Sequence, residues 1–461
     1  MTKYPPSSTA PERDILGYLL IFLSSILLGI WAVKGTIALR NMLLGLETIL
    51  AGIYCYQFFK IQPKIPRKNW TPLMLLGAMF LWVIFHYFFL SRFPEQQLHE
   101  LKSTWLRSGL ATIVGVGTGL ALLRRPNAIN CLWIGILASF AYLLYQYIPN
   151  AIVLKSIFAP DYVNYIFYGK ISGVLAGTIL VIGLLGTLLD TASRGYLVPT
   201  VWVALLTLLG LTITLYAHVF IFDARNGVGL AVILFAVFCA AFIGRLAIGV
   251  FNSLRASRFK ATGGILTIFI TITLTFVTAW ATKEHVQHNP GWSSMWEDTK
   301  TSVQIDKYPN WQDLQRLGYP QNGAGQPVKG NTYERLAWAT AGATILMPKN
   351  PNGLGILKGP FGILMKDAYP DSTSYLVSTH SAWVEIGLSF GYLGLFLLLT
   401  ALFSLGYLAL STKSNFQSTA FLFSIGLFGL YTVGEISSQH AIEVLFFLIA
   451  LVAVLLTPRQ S

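Results

Sequence analysis

Apolar residues run along this chain in long unbroken stretches. They show neither the alternation of a half-buried strand nor the narrow stripe of a soluble amphipathic helix. A stretch of about twenty such residues is what a helix needs to cross a bilayer. They fall near 15–33, 41–59, 72–91, 104–123, 129–147, 171–189, 197–216, 227–244, 263–282, 381–400, 417–434 and 437–456. The pattern predicts an all-α polytopic integral membrane protein with about twelve transmembrane helices. A membrane β-barrel would instead alternate over segments of about ten residues. The first stretch, from Ile15, is too long for the core of a signal peptide and lacks a small-residue cleavage site, so it reads as a retained helix.

One long segment interrupts the plan. The chain divides into transmembrane helices 1–9 over residues 1–282, a large loop over 283–379, and transmembrane helices 10–12 over 380–461. Loops longer than about 15 residues are usually functional or disordered. This one carries Trp292, Trp296, Trp311, Tyr319, Tyr333 and Trp338, and so many aromatics argue for order. A short helix is expected between Glu334 and Leu346, where Gly342 is the sole glycine and proline is absent.

Composition agrees with a chain made mostly of spans: 54% of residues are hydrophobic and 11% charged, against about 25% charged in soluble domains. The net charge of +13 would suggest nucleic acid in a soluble protein. In a membrane protein it first reflects positive loops on the cytoplasmic side, and no nucleic-acid partner is expected. With the N-terminus inside, the inner segments hold fifteen Lys and Arg and the short outer loops eight. Both termini are then cytoplasmic, and the large loop faces outward. Cys55, Cys131 and Cys239 each lie in an apolar run without CxxC spacing, which indicates neither a metal site nor a disulfide framework.

Charges are scarce here, and within a membrane protein they point to function. On the expected outer side stand Arg40 after the first span, Arg225 opening the eighth, Arg335 in the loop and His380 opening the tenth. Each has a structural explanation as well: Arg225 and Arg40 as snorkelling anchors, Arg335 as a solvated loop charge, His380 as a helix-start neighbour. Arg194 reads as an inner topology determinant. Glu47, His86, His218, Glu385, Glu435, His440 and Glu443 are expected to face the interior and satisfy one another, with Glu435 and His440 flanking the last outer turn. The first outer loop, KGTIALR, lacks the carboxylate that many polytopic glycosyltransferases pair with a metal there. No HExxH, GxxxxGK[ST] or DxD occurs, so no metal site and no cofactor are expected.

Three motifs in order carry a resemblance. Ala224-Arg225-Asn226-Gly227 comes first. Arg335 follows, with Trp338 three residues on, then the turn Pro351 to Gly355. Last is His380-x-x-x-x-Glu385-x-Gly387 before a helix punctuated by Gly391 and Gly394. The chain resembles the O-antigen ligase and O-antigen polymerase superfamily over about residues 170–440, and the twelve-span plan with one large late outer loop extends the likeness to the whole chain. One departure is that the family's first Arg commonly follows Ser. Ser193-Arg194-Gly195 has that serine, but on the expected inner side.

The resemblance implies a Gram-negative inner-membrane enzyme of lipopolysaccharide biosynthesis. Its donor would be a glycan on undecaprenyl pyrophosphate and its acceptor a sugar hydroxyl of lipid A-core, both reached from the surrounding membrane lipids at the periplasmic face. Arg225, Arg335 and Arg40 would bind the pyrophosphate, since a guanidinium forks onto phosphate and stays charged. They would stabilise charge on the leaving group and do a metal's work. His380 would take the acceptor proton, as the imidazole titrates near neutrality. Glu385, Trp338 and Lys349 are secondary candidates. Direct attack would invert the anomeric centre, because no close pair of acids for a covalent route is evident. An O-antigen polymerase and a protein O-oligosaccharyltransferase share the donor chemistry. A secondary transporter is the rival of another class, with broken helices in matched halves as its signature.

Overall fold

The computed structural model describes residues 14–61, 67–157, 166–194, 197–252, 258–373, 378–434 and 439–458. Helices α1 (Ile15–Ile30), α2 (Ile37–Ile61) and α3 (Thr71–Phe89) come first. Helix α4 (Pro94–Glu100) runs through one π-helical turn into α5 (Leu106–Arg124). Then follow α6 (Ile129–Leu154), α7 (Lys170–Arg194), α8 (Leu197–Tyr216), α9 (Arg225–Asn252) and α10 (Arg258–His288). The long segment holds α11 (Met295–Ser302), α12 (Leu314–Leu317), α13 (Gly330–Ala341), α14 (Met347–Lys349) and α15 (Pro360–Ala368). Helices α16 (Ala382–Ser411), α17 (Gln417–Val433) and α18 (Gln439–Leu455) come last. Among the described residues there is no strand, and pairing of that kind is limited to two isolated bridges.

Helices lie at every expected window, and among the described residues eight are long and apolar enough to cross a membrane: Ile37–Lys60, Thr71–Phe89, Pro94–Arg124, Pro126–Leu154, Lys170–Arg194, Thr200–Ile221, Arg225–Gly244 and Ala382–Ser411. Ile15–Ile30, Gln417–Val433 and His440–Leu455 are apolar but shorter. The outer surface fits such a role. Met42, Ile49 and Tyr56 form a stripe on α2, and Met74, Leu81 and Phe88 one on α3; all six are 65–72% exposed. Seven residues make nearly two helical turns, so each stripe is one face. Water would penalise apolar faces of this extent, and lipid does not.

Two helices form the interior. Helix α7 is buried from Ser172 to Thr191, and α18 from His440 to Leu456. An apolar sequence without a polar face has this consequence. Lipid supplies little drive for helices to associate, so close packing must do it, and small residues permit the approach. A Cβ on Gly115 would lie 2.5 Å from the Phe447 carbonyl oxygen, and one on Gly119 would lie 2.8 Å from the Val454 Cβ; α5 therefore seats on α18. Between α1 and α6 a Cβ on Gly135 would lie 1.8 Å from the Ser25 carbonyl oxygen, while the Ser139 hydroxyl donates to the Gly29 carbonyl at 2.6 Å. Gly135→Leu should therefore force α1 from α6 and lower stability by about 1–3 kcal/mol. Thermal unfolding in detergent checks this, with Gly45→Leu, which meets open space, expected to unfold near the wild-type temperature.

Residues 283–373 fold into an ordered unit rich in the aromatics noted above. It has its own core around Trp311, Tyr333, Trp338, Phe361 and Met365, which joins the bundle through Leu388. The expected helix over 334–346 begins earlier, at Gly330, and ends in a π turn over Gly342–Leu346. The loop also enters the bundle. Helix α16 breaks at Phe390 and Gly391, which frees backbone groups that lipid cannot satisfy. Loop residues 351–355 pair with them: Leu354 N–H donates to the Leu388 carbonyl at 3.0 Å, Gly355 N–H to Ser389 at 2.6 Å, and Tyr392 N–H to Pro351 at 3.0 Å. Glu100 accepts from the backbone N–H groups of Leu357 and Lys358, and Arg92 pairs with Asp367 at 2.8 Å.

The interior acids and histidines mostly meet partners other than one another. Glu47 accepts from Ser24 at 2.8 Å. Glu443 accepts from Arg107 at 2.5 Å and Trp31 at 3.0 Å. The His86 ring lies 3.1 Å from the Asn352 carbonyl, His440 stacks on Tyr168, and His218 packs against Gly177 and Gly227. Glu435 lies outside the described residues. The cysteines are free thiols.

Candidate functional site

The site is built where the loop meets the ends of α7, α9 and α17. Helix α8 finishes in a π turn over Ala217–Ile221, and after three intervening residues α9 starts at Arg225. Asp223, in this turn, has φ +45, a left-handed conformation that aspartate tolerates better than most residues. The Arg225 guanidinium reaches into the loop. Its Nη1 donates to the Gly291 carbonyl at 2.8 Å and lies 3.3 Å from the Thr332 hydroxyl. A Cβ on Gly291 would come within 2.5 Å of that nitrogen, so glycine is what lets the arginine approach the backbone.

Helix α13 ties the candidate residues together. Tyr333 faces inward, fully buried, and its hydroxyl donates to the Tyr308 carbonyl. Burial in the loop core pushes that phenol's pKa up. Three other positions on α13 reach the candidate residues. Thr332 meets Arg225. Arg335 Nη1 donates to the Val433 carbonyl, at the end of α17, at 3.3 Å. Trp338 stacks on His380, with ring centroids 6.0 Å apart and planes at 19°. From residue 332 to residue 338 the helix rises about 9 Å. Residues some 155 positions apart in sequence thus lie along less than two turns of one helix.

His380 itself has φ +59, and its half-buried ring sits on a turn that is tied at several points. Its N–H donates to the Ser378 hydroxyl at 3.0 Å, and Thr379 N–H donates to the Glu385 carboxylate at 2.5 Å. Glu385 is buried and thus orders the His380 turn from within α16. Trp338 also donates to the Trp311 carbonyl at 3.3 Å, so the stack is anchored in the loop core.

A cavity of about 260 Å³ opens beside Arg225, with Lys170, Asp223, Asn289, Lys329 and Asn331 also on its walls. Lys170, the first residue of α7, donates its ammonium to the Asp223 carbonyl and feels the charges of Arg225 and Arg335. The Asp223 carboxylate accepts from Asn289 at 2.7 Å and lies 3.0 Å from His285 Nε2. Those hydrogen bonds, His285's first, hold its pKa down to about 2. Asn289 in turn accepts from Gly291 N–H, which continues the chain to the carbonyl that receives Arg225. Among the described residues, no three His, Cys, Asp or Glu side chains converge as a metal would need.

The structure therefore brings Arg225, Arg335, Trp338 and His380 along one helix, with Glu385 behind the histidine. Arg40 has a different setting. It is buried, donates to the Trp31 carbonyl at 2.7 Å, and lies near His440, outside the lining of the cavity. Lys349 is exposed at the end of α14 and likewise lies outside that lining. Lys170, Asp223, His285 and Asn289 are additions. In the sequence Lys170 is one of the eight outer-loop charges, and Asp223 lies two residues before Arg225. An acid in a three-residue turn between two spans is itself a signal; its partner His285, some sixty residues on, is not. Compared with known proteins, the chain matches no family model and no curated sequence.

Proposed function

We propose that this chain is a membrane glycosyltransferase of the O-antigen ligase type, with twelve crossings, cytoplasmic termini and a site open to the periplasm of a Gram-negative inner membrane. It would move a glycan en bloc from undecaprenyl pyrophosphate to a sugar hydroxyl of lipid A-core, without a cofactor. The observation that carries this is the row on α13, where Thr332, Arg335 and Trp338 meet Arg225, the end of α17 and His380 in succession. Arg225 and Arg335 supply forked positive charge for a diphosphate. His380 supplies a base at the other end of the row.

The chemistry follows from that order. The acceptor oxygen attacks the anomeric carbon as its proton passes to the imidazole. The bond from that carbon to the phosphate oxygen breaks, and the electron pair leaves on the diphosphate. The arginines are already in place to meet the growing charge, so little reorganisation is needed. Attack opposite the leaving group inverts the anomeric centre.

The break in α16 is the one feature that favours a transporter, since transporters bind substrates at broken helices. Here, however, residues 351–355 fill the break. Protein reconstituted in nanodiscs with a lipid-linked glycan separates the possibilities when it is offered lipid A-core, a second lipid-linked glycan and a protein hydroxyl in turn. Transfer to lipid A-core with release of undecaprenyl pyrophosphate is expected, and Arg335→Ala should slow it about 10²-fold. Arg335→Lys should recover only part of that, because the charge returns without the fork. Transfer to none of the three acceptors, with substrate-driven proton flux in proteoliposomes, would overturn the proposal. Transfer to either of the others alone would reassign the acceptor.

A further inference from the structure

The cavity beside Arg225 holds a cation to which the mechanism above gives no part. Lys170, Arg225 and Lys329 line it together with one carboxylate, Asp223; three cations against one anion leave two positive charges in excess. Arg225 and Lys170 both direct a donor to a backbone carbonyl, of Gly291 and Asp223 respectively. Among the described residues the Asp223 carboxylate lies within bridging distance of His285 and of no Lys or Arg. The acid therefore offsets the cations beside it only in part, with no direct ion pair to Lys170 or Arg225.

Hydrogen-bond roles show why. The Trp292 indole N–H lies 3.0 Å from His285 Nδ1. An indole can only donate, so Nδ1 accepts and the ring proton sits on Nε2, directed at Asp223. His285 is thus neutral, with its side chain fully buried. Asp223 is a fixed anion whose carboxylate is taken up by His285 and Asn289. Its remaining polar group, the peptide carbonyl, holds the Lys170 ammonium toward the cavity. The charge is arranged before any ligand arrives.

We infer that Lys170 is a further ligand-binding cation of the donor site, held ready by Asp223, and that with Arg225 it grips the diphosphate of the lipid-linked donor. This rests on the donor chemistry proposed above. A diphosphate diester carries one negative charge on each phosphorus, matching the excess in the cavity. A diphosphate brings two phosphoryl groups, one for each of Lys170 and Arg225, whereas a monophosphate has one to share between them. Each charged hydrogen bond to phosphate is about twice as strong as a neutral one, so loss of one should be measurable in binding alone.

The test is binding of undecaprenyl diphosphate and undecaprenyl monophosphate to the full chain in nanodiscs, for wild type, Lys170→Met, Lys170→Gln and Lys170→Arg, each checked for folding by thermal unfolding. Wild type is expected to prefer the diphosphate. Either neutral variant should weaken diphosphate binding about tenfold or more and the monophosphate much less, and Lys170→Arg should stay within about threefold of wild type. Undiminished diphosphate binding by a folded neutral variant would overturn the role of Lys170 and leave the donor chemistry standing. Wild type that binds both lipids alike, or neither, would overturn both together.

Discussion

Replacing His380 should slow glycan transfer by about 10²–10⁴, the range for loss of a general base, with the protein still folded. The prediction has a structural reason. The His380 ring is half-buried and rests on Trp338, and the turn beneath it is held by Ser378 and Glu385, contacts that involve backbone groups of Thr379 and His380. Those contacts survive removal of the imidazole. The choice of variant matters because φ is +59 here. Asparagine accepts a left-handed backbone far better than alanine does. His380→Asn is therefore the cleaner test, and His380→Ala should show the same loss with a slightly lower unfolding temperature. Transfer rates in nanodiscs, beside thermal unfolding and lipid-diphosphate binding, give the three readouts. Binding should stay near wild type, since Arg225 and Arg335 are untouched. Added imidazole should restore part of the rate to His380→Ala by filling the vacated space. A folded His380→Asn protein that transfers at the wild-type rate would remove His380 from the chemistry.

Most of the helical plan was legible because lipid imposes it. Backbone groups must be satisfied within each crossing, so apolar length alone marks a helix, and helices do lie at the expected windows. What stayed hidden was non-local. Gly387, Gly391 and Gly394 look equivalent in the sequence. Only Gly391 takes a positive φ, and it does so because a loop forty residues upstream in sequence pairs with the break. In the site, Arg225, Arg335 and His380 stood out because charge is scarce near apolar runs. That they share α13 depends on Thr332 and Trp338, which no scarcity argument selects. Arg40 passed the same filter, yet it is buried against the Trp31 carbonyl and away from the Arg225 cavity. A helix-end arginine looks alike in sequence whether it faces a cavity or the end of the preceding helix.

Gly391→Ala should be among the most damaging single-methyl substitutions at the described glycines, at a cost on the order of 4 kcal/mol. Two effects combine. At φ 67 and ψ −170 the backbone occupies a region open essentially to glycine alone. The added Cβ would also lie 2.1 Å from the Pro351 carbonyl oxygen and 2.6 Å from the Asn352 carbonyl carbon. Neither neighbour is a flexible side-chain end, so the loop must withdraw. Withdrawal strips Ser389 and Leu388 of their loop partners and exposes their carbonyls where water is scarce, which makes a partial retreat unfavourable as well. The loop core should then lose its anchor at Leu388. Limited proteolysis of residues 283–373 should accelerate, and exchange protection should fall at the amides of Leu354, Gly355 and Tyr392. Gly353→Ala should act in the same direction, since φ is +79 and its Cβ would lie 2.4 Å from the Ser389 carbonyl oxygen. Gly77→Ala is the comparison: it meets nothing within 4 Å and should be neutral or slightly stabilising, as alanine favours helix over glycine. Because α13 is part of the same loop, Gly391→Ala should also abolish transfer, although Gly391 lies outside the cavity. Wild-type proteolysis and exchange in Gly391→Ala would show that the loop does not depend on the break in α16.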